Sequence, residues 1–330
     1  MRILAGDIGG TNTRLALLEW DTGTVGISCR QEFSSLAHES LNAVVAKYLG
    51  DQGDLRLDAA AFGVAGPVRG GISQITNLPW RIAQAELSEQ LGLSSVYLLN
   101  DLEALAWSVE TLHEDQLTSL QTGLPGPGNR AVIAAGTGLG QAGLFFDGEG
   151  YQPFATEGGH ADFAATQPQD WELCAFLQKR FGRTSWERVV SGPGMVHLYE
   201  FLLEQSGNAA PDWWQDPGQD MAAAITERGL ASSDPLCYDA LHWFVRLYGA
   251  EAGNLALKMK AIGGLYIGGG IAPKILPALQ MPAFMHAFLD KGKMRGLLEA
   301  MPVRVICYGD AALQGLGNYA ARRAAGGAII

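Results

Sequence analysis

The chain is short of cysteine, of positive charge and of long apolar runs, and each shortage closes off a class of function. Its four cysteines, at 29, 174, 237 and 307, lie far apart with no C-x-x-C spacing. That argues against a structural zinc and for a reducing compartment. Lys and Arg total 23 against 34 Asp and Glu, a net charge of −11, with a sequence pI of about 5.0. No basic surface for nucleic acid is therefore expected. No apolar run reaches about 18 residues, so no membrane span is expected. Met1 and Arg2 lead straight into an apolar stretch, so no signal peptide is expected and the cytoplasm is the expected location. Gly-x-x-x-x-Gly-Lys-Ser/Thr is missing as well, so this is not a P-loop protein.

Glycine is what the chain has in excess: 43 of 330 residues, nearly twice the usual share of roughly 7%. These glycines fall in discrete turns, not in a low-complexity tract. At 48% hydrophobic and 17% charged, the composition is that of a soluble globular protein long enough for two domains with their own cores.

Two glycine turns organise the reading. Residues 4–18 run apolar, turn through Gly9, Gly10, Thr11 and Asn12, and run apolar again, which predicts a β-hairpin. Successive N–H groups in such a turn make a nest for an anion such as phosphate, and the glycines let backbone approach a ligand closely. Asp7 stands at the mouth of the turn. A carboxylate beside a phosphate repels it unless a cation lies between, so Asp7 implies Mg²⁺, held directly or through water. Residues 131–146 repeat the scheme with Gly136, Thr137, Gly138 and Gly140. Placing Gly9 on Gly138 puts Thr11 on Gly140 and Asp7 on Gly136, so the second turn has the cradle without the carboxylate. Two phosphate loops and one metal-side carboxylate suit ATP held between two related halves.

Around these turns, apolar patterning predicts a strand over 25–33, a helix over 40–49 and a buried strand over 59–65. A loop or hairpin over 72–80, a helix over 83–91 and a strand over 95–99 follow, the last delivering Asn100 and Asp101 into a helix over 102–112. Strands and helices alternate as in an α/β layer with a mixed sheet, where ligands bind beyond the carboxyl ends of strands. The Pro/Gly-rich residues 121–130 introduce the second half, with the domain change placed between 108 and 130. Helices are expected over 168–180, 192–205, 219–230 and 234–258. A strand into Gly268, Gly269 and Gly270 follows, then Pro273 in the first turn of a helix, a strand over 303–307 and a helix over 309–323.

Several side chains bear on chemistry. Asp101, at a strand end, suits a general base that accepts a hydroxyl proton; it equally suits an N-cap. Glu157-Gly158-Gly159-His160 offers the mixed donors and acceptors that sugar hydroxyls require. For His160 a structural role stays open, whereas zinc lacks a ligand set. Asn77 suits a turn residue. Glu187 by itself reads as a surface acid. Ser191 and Pro193 mark a helix start, whose N–H groups are offered to a nucleotide. Gly136-x-Gly138-x-Gly140 has the outline of a dinucleotide fingerprint, but residues 142–146 continue as a strand, which excludes it.

The ordered set Gly6–Asn12, Thr76–Trp80, Leu98–Asp101, Gly136–Gly140, Glu157–His160, Glu187–Gly194 and Gly268–Pro273 covers nearly the whole chain. It resembles the bacterial ATP-dependent glucokinases, within the superfamily of sugar kinases, heat-shock chaperones and actin-type ATPases. The resemblance implies a two-domain ribonuclease H-like (actin-type ATPase) α/β fold with mixed sheets and a cleft between domains. The smaller domain would be 1–110, with 309–330 returning to it, and the larger 111–308. It implies γ-phosphoryl transfer from ATP to the 6-hydroxyl of glucose, with Mg²⁺ and with Asp101 as base. Asn77, Asn100, Asp101, Gly138, Glu157, His160 and Glu187 would contact the sugar. Asp7, Gly9, Gly10, Thr11, Asn12, Gly136, Thr137 and Gly138 would hold phosphates and metal. Gly268, Gly269 and Gly270, with 191–194, would border the adenosine. The Cys-rich zinc motif of the related repressor–kinase family is missing, so no zinc is expected, and a homodimer is. The alternatives are a kinase for another hexose or amino sugar, and a sugar-independent ATPase of the same fold.

Overall fold

The computed structural model describes residues 1–326 except 22–23, 54, 76–77 and 217. By density of contacts it divides into two units: Met1–Gln116 with Gly150–Ala155 and Tyr308–Ile330, and Leu117–Glu149 with Thr156–Cys307.

The first unit is built on strands β1 (Arg2–Ile8), β2 (Asn12–Asp21), β3 (Thr24–Ser34), β4 (Ala59–Val64) and β7 (Val96–Asn100), in the order β3-β2-β1-β4-β7. A separate small hairpin pairs β5 (Ile72–Gln74) with β6 (Arg81–Ala83). In the main sheet β1, β2 and β3 pair antiparallel, whereas β1, β4 and β7 are parallel. Side chains alternate between faces along a strand, and two cores follow from that. Leu4, Ile8, Leu15 and Phe62 join residues of helices α1 (Leu41–Gln52) and α2 (Gln84–Leu91) on one face. Ile3, Ala5, Ala16 and Ala61 join α3 (Asp101–Ser108) and α11 (Ala311–Ala324) on the other. Gly315 lets α11 rest on the Ala104 carbonyl of α3, and Asn318 Nδ2 donates to Trp107 O at 3.0 Å. Ser40 caps α1 by accepting the Ala43 N–H. The helix predicted over 102–112 ends at Ser108, where Thr111 N–H and Leu112 N–H turn back on the Ser108 carbonyl.

The second unit carries β8 (Leu117–Gln121), β9 (Arg130–Ala135), β10 (Leu139–Phe146), β12 (Gly264–Gly268) and β13 (Val303–Ile306), while β11 (Tyr151–Thr156) falls, but for Thr156, among the residues grouped with the first unit. Within this unit the order is β10-β9-β12-β13-β8, with β9, β12 and β13 parallel. The run β10-β9-β12-β13 repeats the run β2-β1-β4-β7 of the first sheet: an antiparallel hairpin, then two parallel strands reached by crossovers. The helices are α4 (Pro168–Phe181), α5 (Gly192–Ser206), α6 (Met221–Leu230), α7 (Pro235–Met259), α8 (Leu276–Leu279), α9 (Pro282–Leu289) and α10 (Arg295–Glu299). Helix α7, buried along most of its length, is the spine of this core. The edge strands β8 and β11 and the helices α9 and α10 were not expected from the sequence. Pro273 is not in a helix: it lies in a turn, and α8 starts three residues later with Pro277 in its first turn.

Candidate active site

In the first unit the predicted site residues gather at the carboxyl ends of β1 and β7. Ile8 pairs with Val64, and Val64 with Asn100, in parallel register. The carboxyl end of β1, which leads into Gly9 and Gly10, is thus two strand spacings from Asn100, roughly 10 Å. The Gly9 N–H donates to Asn12 O at 2.9 Å and closes the turn. Ser35, fully buried, fastens it from outside. Its N–H donates to Thr11 O at 2.8 Å, and its hydroxyl donates to Gly9 O and pairs with Thr13 Oγ1, each at 2.9 Å.

Asp7 lies opposite Arg14 in the hairpin register, and Arg14 Nη2 meets its Oδ2 at 2.7 Å. Burial pushes the Asp7 carboxyl above its ordinary range; Arg14 opposes this, and Asp310 and Glu32 add to it. Arg14 Nη1 also donates to Gly309 O at 2.9 Å. Asp7 therefore has a cationic neighbour within the chain itself. Among the described residues no group of three or more His, Cys, Asp or Glu is placed to hold a metal ion. One carboxylate behind a glycine turn fits Mg²⁺, an ion that usually keeps several waters, better than it fits a metal caged by protein.

Asn100, not Asp101, is the N-cap of α3: its Oδ1 accepts the Leu102 N–H at 2.9 Å. Its Nδ2 donates to Gly66 O at 3.1 Å, so the amide is held from both ends. Asp101 is the first helical residue, and its Oδ1 also accepts the Leu102 N–H, at 2.9 Å. The helix N-terminus favours negative charge there. Asn77 lies outside the described residues.

In the second unit the structure brings together four of the predicted sugar residues. The Leu139 N–H, just after Gly138, donates to Glu187 Oε2 at 3.1 Å. A Cβ at Gly138 would stand 2.6 Å from that same oxygen, so any larger residue would displace the carboxylate from this position. His160 Nδ1 is 3.8 Å from Glu187 Oε1, and His160 Nε2 is 3.9 Å from Glu157 Oε2. The glycines between Glu157 and His160 have a definite use: a Cβ at Gly159 would overlap the Leu139 carbonyl, and one at Gly158 the Gln141 amide. They seat the loop on β10. Trp186, buried against Phe163 with ring centroids 4.9 Å apart, fixes the turn that presents Glu187.

The residues predicted to border the nucleotide also converge within this unit. Gly136 N–H donates to Gly138 O at 2.9 Å, and Gly192 N–H, in the first turn of α5, donates to Gly136 O at 2.8 Å. Ser191 caps α5, accepting the Gly194 N–H at 3.0 Å and donating to Glu187 O at 2.7 Å. Gly269, at φ +83°, passes so near the Ala135 carbonyl that a Cβ would be 2.5 Å from it. Tyr248 of α7 supports the end of β9 by accepting the Ala135 N–H at 3.2 Å. Thr137 and Gly270 complete the two turns.

The glycine-based superposition of the two turns does not survive the strand register. The last pairs before the turns are Ile8–Thr13 and Ala135–Leu139. One step back, Asp7–Arg14 corresponds to Ala134–Gly140, and two steps back Gly6–Leu15 corresponds to Ile133–Gln141. The turns differ in length by one residue, which glycine matching overlooks. Both members of the Asp7–Arg14 pair are therefore replaced in the second hairpin. Sequence reasoning missed Arg14, Ser35 and Gln141. Arg14 was reachable through hairpin pairing, and Gln141 as a lone amide in an apolar strand; Ser35 carried no signal.

A glucokinase family profile matches residues 4–323. The chain is 40% identical over 337 residues to a glucokinase of Nostoc punctiforme, covering 97% of this chain and 99% of that one. Among solved structures it is similar to a glucokinase from an Antarctic psychrotroph, with TM-score 0.86, 31% identity, and 97% and 99% of the two chains covered. The glucokinase of Balamuthia mandrillaris, solved in complex with glucose, shares the fold at TM-score 0.80 and 22% identity, with 97% and 93% covered. With its mixed sheets and ordered motifs matched from end to end, the chain belongs to the glucokinase family.

Proposed function

We propose that this protein phosphorylates glucose, transferring the γ-phosphoryl group of ATP to the sugar 6-hydroxyl. The observation that carries the reading is the assembly of Glu157, His160 and Glu187 on the second glycine turn, where polar groups suited to sugar hydroxyls adjoin a backbone suited to phosphate. A site that hydrogen-bonds hydroxyls discriminates strongly against analogues lacking them.

Phosphoryl transfer passes through a loose transition state, so positioning and charge neutralisation do most of the work. Asp101 is the base in this reading. It orients the attacking hydroxyl and takes its proton, with Asn100 holding the N-terminus of α3 in place. Gly9 to Asn12 and Gly136 to Gly138 supply N–H groups to phosphate oxygens. Gly268 to Gly270 and the start of α5 border the adenosine. Mg²⁺, when bound with the nucleotide, neutralises charge on the β- and γ-phosphates, and Asp7 is the residue that would hold it, directly or through water. A homodimer in the cytoplasm belongs to the same proposal, by family likeness.

The test is ATP- and Mg²⁺-dependent ADP release with glucose, mannose, fructose, N-acetylglucosamine or no sugar, for wild type and Asp101→Ala. Glucose-stimulated turnover that is lost in the variant while ATP still binds supports the reading. Preference for another sugar keeps the mechanism and changes the substrate. Equal hydrolysis without sugar makes the protein an ATPase and removes the sugar site.

A further inference from the structure

Beneath the Glu157–His160 loop lies a buried polar pair that the mechanism above does not use. Gln141 of β10 and Glu251 of α7 are 1% and 0% exposed. Gln141 Nε2 donates to Glu251 Oε1 at 2.8 Å, and Asn254 Nδ2 donates to Glu251 Oε2 at 2.9 Å. In the corresponding place of the first hairpin stands Leu15, plain core. The same backbone position thus accepts leucine at no cost in one half and carries an amide bound to a buried acid in the other.

Stability does not explain that exchange. A buried polar pair is seldom better than apolar residues of similar volume, and local rules are most often broken at functional sites. Burial also pushes the Glu251 carboxyl above its ordinary range, against the opposing pull of Asn254, Gln141, Lys258 and Lys291.

The pair's other side meets the sugar loop. Gln141 Oε1 fills the space a Cβ of Gly158 would need. The Gln141 carbonyl accepts from Thr156 Oγ1 at 3.2 Å, and that hydroxyl accepts the Gly158 N–H at 3.2 Å. One residue thereby fixes the loop's backbone through side chain and main chain together, and Glu251 fixes that residue from α7.

We propose that Gln141 and Glu251 are positioning residues for the sugar site, setting the height and orientation of the loop that presents Glu157 and His160. The inference rests on the glucokinase reading. Its consequence is a loss confined to the sugar, because the phosphate turns are held by other residues (Ser35, Gly192 and Tyr248).

The experiment compares wild type, Glu251→Gln and the double variant Gln141→Leu/Glu251→Leu, which restores the sister hairpin's leucine. Glucose KM, ATP KM, calorimetric glucose binding and thermal unfolding are measured on each. The expected result is a folded double variant whose glucose KM and Kd rise about tenfold, the scale of a misplaced binding group, with ATP KM unchanged. Glu251→Gln, which keeps an acceptor for Gln141, falls between. Glucose KM and Kd within about twofold of wild type in the double variant, or glucose and ATP KM rising together with lost stability, overturn the proposal. If the double variant does not fold, Glu251→Gln decides alone: raised glucose KM at native stability supports the proposal, and unchanged KM overturns it. Wild-type turnover separates the two levels, because a wild type that releases no sugar-dependent ADP sinks the kinase reading itself.

Discussion

The two glycine turns stand on hairpins of one design, in sheets with the same strand order, yet they are equipped differently. Behind the first turn lies the Asp7–Arg14 ion pair, and Ser35 fastens the turn from outside. Behind the second the same positions hold Ala134 and Gly140, and the acid comes from elsewhere, Glu187 reaching in to the Leu139 N–H. Where the first hairpin has Leu15 the second has Gln141 and, through it, Glu251. A duplicated backbone thus carries an Asp–Arg ion pair in one copy, and in the other a turn that binds Glu187 with His160 and Glu157 beside it.

The sharpest way to break this division is at the end of β7. Asp101→Ala should lower kcat with glucose by about 10²–10⁴-fold, the usual worth of general acid–base help, while ATP binding persists. Retained turnover would move the base to another residue.

The next effect contrasts one ion pair from each unit. Asp170 is buried beneath Arg246 and also accepts from Trp243 Nε1 at 2.9 Å. Asp170→Ala should destabilise the protein by about 3–5 kcal/mol, since it strands a largely buried guanidinium, whereas Asp7→Ala should cost turnover more than stability. Burial alone would raise the Asp170 carboxyl, but Arg246 and Trp243 hold it below its ordinary 3.8. A depressed carboxyl contributes stability that is present above the unfolded value and lost as pH falls. The stability gap between wild type and Asp170→Asn should therefore narrow below pH 3.8, as read by denaturant unfolding at several pH values. A constant gap would refute the ion pair's role.

A smaller effect comes from forcing the copies to agree. Ala134→Asp places an unpaired carboxylate in the second hairpin at a position only 7% exposed, and should cost about 3 kcal/mol. Adding Gly140→Arg opposite it should recover part of the loss in thermal unfolding; no recovery would mean that the two positions are not equivalent. The smallest effect is Ser35→Ala, expected to cost about 1–2 kcal/mol for the lost hydroxyl bonds and to raise the KM for ATP without moving that for glucose. Equal shifts in both would reduce Ser35 to a general support.

Much was legible because it is local. Turn glycines, the helix start at Ser191 and the wholly apolar run of β4 state their conformation within a few residues. The ordered motifs did the same for the family. What failed was also physical. Pro273 matches the preferred first-turn residue, but the glycine turn before it continues through 271–275 before a helix can start. The helix over 102–112 looked continuous until Ser108 O drew the chain back. Aligning the turns by their glycines failed because equivalence is set by the strand ladder, which counts paired residues and ignores identity.

The sequence by itself determined the repeated strand–turn–strand units, the carboxylate at strand ends and the family, since each depends on short-range pattern or on ordered motifs. Only the tertiary structure decided that Asp7 faces Arg14, that Ser35 holds a turn more than twenty residues away, and that Glu187 belongs to the turn at Gly138. The same holds for Glu251, which holds Gln141 beneath the 157–160 loop from a helix 110 residues further along the chain. These are contacts between residues distant in the chain, chosen by packing and register, and no local pattern encodes them.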